Sequence, residues 1–286
     1  MNIKISDNSM INAIYFGLIT TDYNFYKDLK SQEIIDKAEQ IRKIKLNTGV
    51  DNFFRKTYQN SCEAYPYWPR AALLETATFF IHRGEVLFTR FHDYYEYIKN
   101  LNIFSEIKED KEFWYWINMF PESILKIVEN EYFLDFDNWS HNWIEGQNEI
   151  FNSSLKELSH IVSVLTKKYS IKINNIDIIL APLKCAYSAD YYKDYDTLYV
   201  ILGKFDLKYV MHEFLHIVVH KIVLDNCEHV LTLNKNTRYK NLDKSYYADS
   251  DECVLNAFEE NIVRELIDVY SELENIDIVN FIMNHI

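Results

Sequence analysis

The chain has 286 residues, 48% of them hydrophobic and 26% charged, with a formal net charge of −13. That length and apolar content suffice for a substantial core, in one large domain or two small ones, and exclude a disordered chain. The acidic balance excludes a broad phosphate-neutralising surface, so neither nucleic acid nor an anionic membrane is an expected partner.

Only five glycines and four prolines punctuate the sequence, which predicts a mostly helical protein. Cys62, Cys185, Cys227 and Cys253 form no C-x-x-C pair, so free thiols in a reducing compartment are expected rather than a zinc ribbon or redox motif. The opening stretch, MNIKISDNSMINAIYFGLITTDYN, lacks the clean apolar run and small-residue cleavage site of a signal peptide. It reads as an ordinary helix. No run of about 18 apolar residues occurs, so no membrane span is expected and a cytoplasmic location is.

Residues 9 to about 46 read as two helices, with Thr21-Asp22 as an N-cap between them. AYPYWPR, 64–70, holds two of the four prolines and predicts a loop. Helical patterns resume over 71–82 and 85–99, and the aromatic-rich KEFWYWINMF, 111–120, reads as core packing. One long amphipathic helix is expected from Ser140 to about Tyr169, with Ile150, Leu158, Ile161 and Leu165 near helical spacing. The period then changes. NIDIILAPL, 175–183, and DTLYVILG, 196–203, read as strands, and KCAYSADYYKDY between them reads as a loop.

Asp206 is the expected N-cap of a helix containing YVMHEFLHIVVHKIV, 209–223. A polar stretch covers about 225–247. A strong helix, DECVLNAFEENIVRELIDVY, 251–270, follows behind a capping-box spacing at Asp249 and Glu252, and a short helix over 276–285 ends the chain. The order predicts an α+β fold, mainly α. It suggests a helical N-terminal region, 1–139, and a C-terminal region, 140–286. The boundary is soft, and one globule fits the pattern equally well.

The helix after Asp206 carries the chemistry. At 100° per residue, Leu207, Val210, Met211, Phe214, Leu215, Val218 and Ile222 form its apolar face. His212 and His216 stand on a shoulder about 110–150° from the centre of that face, one turn apart, where two imidazoles can grip one metal ion. Glu213 projects beside them and can hold an attacking water instead of ligating. This is H-E-x-x-H on a helix: the metal is a Lewis acid that acidifies water, and Glu213 takes the proton and passes it to the leaving amine. His220 lies about 12 Å along the axis from His212, too far to share the ion; it is expected to be a solvated side chain, with a role as partner of a ligand as the alternative.

Two histidines do not complete a zinc site. An H-E-x-x-H-x-x-G-x-x-H continuation fails, because Val219 and Ile222 occupy its glycine and histidine positions. The remaining source is AFEENIVREL. There Leu255, Phe258, Ile262, Leu266 and Val269 make the apolar face; Glu259 falls near its centre and Glu260 on its shoulder, about 120° away. Shoulders of two helices packed by their apolar faces can meet, which favours Glu260. Glu259 stays the alternative, since a carboxylate at a face centre must be paired or ligating.

VMHEFLHIVV and FEENIVREL together resemble the gluzincin branch of zinc metallopeptidases over roughly residues 175–270. Glu260 and Arg264 resemble the E-x-x-x-R motif of several bacterial families of that branch. Phe258, Glu259 and Glu260 are similar to the FEE of clostridial neurotoxin light chains, where the second Glu of such a pair ligates zinc. The resemblance implies Zn2+ held by His212, His216 and Glu260, Glu259 as an outer partner, and a peptide or protein substrate. The thermolysin type has an Asp four residues after its ligand Glu. Arg264 stands there, a departure from that pattern. A zincin-like core is also implied: a long backing helix, a small sheet, the active-site helix and the third-ligand helix. DTLYVILG would be its edge strand, able to bind a peptide by strand addition. Tyr246 or Tyr247 could donate to the oxyanion. The rival expectation is a non-catalytic module clamped by zinc, with His229 or an Asp from 242–251 as fourth ligand.

Overall fold

The computed structural model describes residues 1–24, 27, 30–64, 74, 76–81, 88–100, 111–186, 188–233 and 251–286, with 60–64 and 251–253 as backbone only. The fold is α+β and mainly helical, and four strands form one sheet in the order β1-β2-β4-β3. They are β1 (Asn2–Ser6), β2 (Asn175–Leu180), β3 (Asp190–Asp194) and β4 (Thr197–Leu202). β1 and β4 flank β2 in parallel, and β3 closes the far side antiparallel to β4.

Strand alternation splits the core into two layers. Ile176, Ile178, Leu180, Leu198, Val200 and Leu202 face a cluster that includes Val210, Phe214 and Ile262. The intervening Ile179 and Ile201 face a second cluster, with Tyr15, Phe16 and Phe53. Strands covered on both faces carry nearly continuous apolar runs, which explains NIDIIL and TLYVIL.

The first helix, α1 (Ser9–Ile19), is buried from Met10 through Ile19, as an all-round apolar sequence requires, and Asn8 caps it by accepting from Met10 N and Ile11 N. Gly17 is where α3 (Thr48–Ala64) comes closest: a Cβ there would sit 2.1 Å from the Phe54 ring. Between them, α2 (Gln32–Ile41) begins after Ser31. Then come α4 (Phe91–Asn100), α5 (Lys111–Asn118), α6 (Phe120–Val128), α7 (Glu131–Gly146) and α8 (Asn148–Lys168). Beyond the sheet lie α9 (Leu207–Asp225), α10 (Cys227–Thr232), α11 (Asp251–Asp268) and α12 (Ile278–Met283).

Several expectations need correction. The opening residues are not all helix: NIKIS alternates and pairs with β2, so the sheet joins chain from both sides of residue 139. Thr21-Asp22 is no N-cap; the Thr21 hydroxyl instead donates to Leu18 O and closes the end of α1. The long helix over 140–169 is two, broken at Gln147 after Gly146. Of the helix expected over 71–82, the described residues Leu74 and Thr76 are α-helical and Ala77–Phe80 form a 3-10 turn. In 111–120, Phe113, Ile117 and Phe120 are buried, while Tyr115 is exposed. The polar stretch after 225 begins with α10. KCAYSADYYKDY is no plain loop, since β3 lies within it. β4 is therefore interior, and the edge belongs to β3. Most of 64–70, Asp249 and both Tyr246 and Tyr247 lie outside the described residues. Among those described, no helix is long and apolar enough to cross a membrane.

Two contacts anchor the chain where it enters and leaves this edge. Lys184, fully buried, donates to Asp190 Oδ2 (2.5 Å) and Ser188 Oγ (3.3 Å), tying the start of β3 to the loop after β2. A Cβ at Gly203 would sit 2.2 Å from the Lys184 carbonyl oxygen, so only glycine lets β4 turn beside that loop towards α9.

Candidate metal centre

Asp206 caps α9 by accepting from Lys208 N (2.8 Å). The helix is buried more widely than its apolar stripe predicts: Val219, Val223 and Glu213 are buried as well, because the sheet layer covers one side and α11 another. His212 and His216 stand at the seam with α11, with side chains 20% and 13% exposed.

Glu260 of α11 meets them there. The separations are 3.2 Å between His212 Nε2 and His216 Nε2, 3.5 Å between His212 Nε2 and Glu260 Oε2, and 3.2 Å between His216 Nε2 and Glu260 Oε2. A tetrahedral ion with ligands at about 2.0–2.1 Å has ligand–ligand edges of about 3.3–3.4 Å. The three donor atoms thus form a triangle the size of one face of such a tetrahedron. They are the one group of at least three His, Cys, Asp or Glu side chains among the described residues that could hold a metal. His229 is not in it.

The remaining atoms of these side chains are engaged. Arg264 Nε donates to Glu260 Oε1 (2.6 Å), leaving Oε2 to face the histidines. His216 Nδ1 donates to Glu259 Oε1 (2.7 Å), and His220 Nδ1 donates to Glu259 Oε2 (2.7 Å). Because Glu259 accepts at Nδ1, the neutral His216 ring carries its lone pair on Nε2, inside the triangle. Glu259 is 6% exposed, as its place near the face centre predicts, and it bridges two histidines instead of joining the triangle. His220 is therefore a member of the network, the less favoured of the two roles expected for it. Arg264 acts on Glu260.

Glu213 is 7% exposed and has no hydrogen-bond partner among the described residues. Burial pushes its carboxyl above the usual range; His212 and His216 pull it back, and Asp190 and Glu260 push it further up. The carboxyl thus lies within reach of the charge of both imidazoles.

Tyr191 of β3 went unnoticed in the sequence. Its ring stacks on His216 at 5.6 Å and 10°, so the sheet edge forms a wall of the site. Burial first, then Glu259, Glu213 and Glu260, hold its phenol well above the ordinary tyrosine range, which keeps it a donor. Alternation in DYYKD was the available signal.

For His216, burial alone would lower the imidazole, but hydrogen bonds with Glu259 and Glu260, then the charge of Glu213, carry it from 6.5 up to about 10. Burial would raise Glu260, but its two histidine partners outweigh that and hold it well below the usual carboxylate range. A base with a raised folded value stabilises the fold fully below about 6.5 and loses that contribution as pH rises towards 10. The metal-stripped protein should lose this contribution over that window. A metal must displace the same proton, so its addition at neutral pH should release about one proton from His216. Calorimetry in buffers of different ionisation enthalpy measures the release; none at all would contradict a protonated His216.

No family model, curated protein or solved structure matches this chain.

Proposed function

We propose that the chain is a zinc-dependent peptidase, with zinc held by His212, His216 and Glu260 and with Glu213 as general base and acid. The observation that carries the reading is the triangle of donor atoms, with Glu213 next to it in sequence and within reach of the charge of His212 and His216. Imidazole and carboxylate donors suit zinc, and three protein ligands leave the fourth position that catalytic sites need. Of the fourth ligands that a closed, purely structural site would use, His229 is not in the group, and the side chains of 242–251 lie outside those described.

Bound zinc would supply a Lewis acid and a more acidic water. Every further task falls to the chain. Glu259 fixes the His216 ring through Nδ1, and Arg264 fixes the outer oxygen of Glu260. Glu213 accepts the proton of the attacking water and returns it to the leaving amine nitrogen. Its raised affinity for a proton suits both steps.

The order α8, sheet, α9, α11 is consistent with the zincin-like core that the motif resemblance implies. β3 is the edge of the sheet on the side of the site, through Tyr191. An extended peptide added along that edge would pass the metal, with main-chain hydrogen bonds supplying affinity.

The reading is tested on a mixed peptide library. Fragments are expected with zinc-loaded protein, to disappear after chelation and to return when zinc is restored. Cleavage that persists unchanged in chelator would overturn it.

A further inference from the structure

Glu259 accepts one hydrogen bond on each carboxylate oxygen, from His216 Nδ1 and from His220 Nδ1, both at 2.7 Å. The carboxylate is buried, so water does not compete for its orientation. The helix makes this bridge natural. His216 and His220 are one turn apart on α9, about 6 Å along the axis, and a single carboxylate from the facing helix spans that gap. The two ends of the bridge differ. His216 is 13% exposed and stands in the ligand triangle, whereas His220 is 52% exposed and lines a small cleft of about 230 Å³ with Val223, Leu224, Leu255 and Asn256.

A carboxylate held at one oxygen only can swing about its last side-chain bond. Held at both, its plane is set, and so is the direction in which Oε1 receives the His216 proton. That direction decides where His216 Nε2 points. Zinc ligands are tuned by the partner on their far nitrogen, and losing such a partner typically costs about 10–100-fold in metal affinity. His220 is the only group besides His216 that the structure pairs with Glu259 among the described residues.

We propose that His220 is a positioning residue for metal binding, acting through Glu259 on His216 across α9 and α11; this rests on the metal reading above. It is not a ligand, and it touches neither metal nor substrate. The third histidine of the H-E-x-x-H-x-x-x-H run is thus the outer clamp of a His–Glu–His relay.

The test is zinc affinity, by competition with a chromophoric chelator, for the full chain and four variants. His220→Ala is expected to weaken binding about tenfold, at the lower end of the range for orienting groups. Glu259→Ala is expected to weaken it further, and His220→Ala combined with Glu259→Ala no further than Glu259→Ala alone, since His220 acts only through Glu259. His220→Asn keeps an N–H donor where Nδ1 stands and should restore most of the affinity. Because the His220 side chain is half exposed, the metal-stripped His220→Ala and His220→Asn variants should melt close to the parent, which separates loss of positioning from loss of fold. Parent binding with His220→Ala within twofold of it, or losses that simply multiply in the double variant, would overturn the relay and leave the metal site standing. A parent chain that binds no zinc would overturn both.

Discussion

Glu213→Gln is expected to cut peptide hydrolysis by about 10²–10⁴-fold while zinc stays bound at about one ion per chain. The substitution keeps size and removes the proton acceptor. Glu213 is next to His212 in sequence but outside the donor triangle, so metal content should not change. Its carboxyl is buried and has no hydrogen-bond partner among the described residues, so no fold-supporting contact is lost. Burial is the main cause of its raised proton affinity, so a neutral amide relieves a desolvation cost and the melting temperature should not fall. Three measurements on one variant decide the matter: cleavage rate, elemental zinc and thermal melting. Retained hydrolysis would remove Glu213 from the mechanism. Lost zinc would mean that it supports the metal.

The second large effect separates the adjacent glutamates. Glu260→Ala should weaken zinc binding by more than about 100-fold, beyond the range for an outer partner, and Glu259→Ala by about 10–100-fold. The reason is the geometry of α11. Glu260 Oε2 is 3.2 Å and 3.5 Å from the two imidazole Nε2 atoms, whereas Glu259 binds the far nitrogen of one ring. Removing Glu260 deletes a donor and leaves Arg264 without the carboxylate it holds, placing an unmatched cation beside the site. Removing Glu259 leaves three donors with one ring free to turn. Reversed magnitudes in the same chelator competition would exchange their roles.

Much of the site is legible in the chain itself. Whether Glu259 or Glu260 faces the histidines follows from rotation along a helix once the apolar face is known, and the shoulder position of Glu260 marks it correctly as the member of the donor group. Asp206 as N-cap is equally local, because a cap involves residues two or three apart. The sheet is less legible. β1 is five residues whose partner lies about 170 positions away, and only pairing with β2 makes it a strand. The β3–β4 hairpin has no Asn-Gly or Asp-Gly signal; Tyr195 takes the turn at φ 49°, a conformation its residue type does not advertise. Missing β3 put the sheet edge on β4 and concealed Tyr191.

His220 shows the same division. Its distance from His212 excludes it as a common ligand, and that inference stands. Between a solvated side chain and a partner of a ligand the sequence preferred the first; in the structure it is both, half-exposed and in contact with Glu259. The sequence by itself determined the mainly helical character, the shared turn of His212, Glu213 and His216, and the face on which Glu260 stands, because these depend on backbone rotation over a few residues. Only the tertiary structure decided that Glu259 spans His216 and His220, that Arg264 takes the outer oxygen of Glu260, and that Tyr191 of an edge strand covers His216. Those contacts depend on how α9, α11 and β3 dock, and docking is set by the packing of whole faces, which no local period encodes.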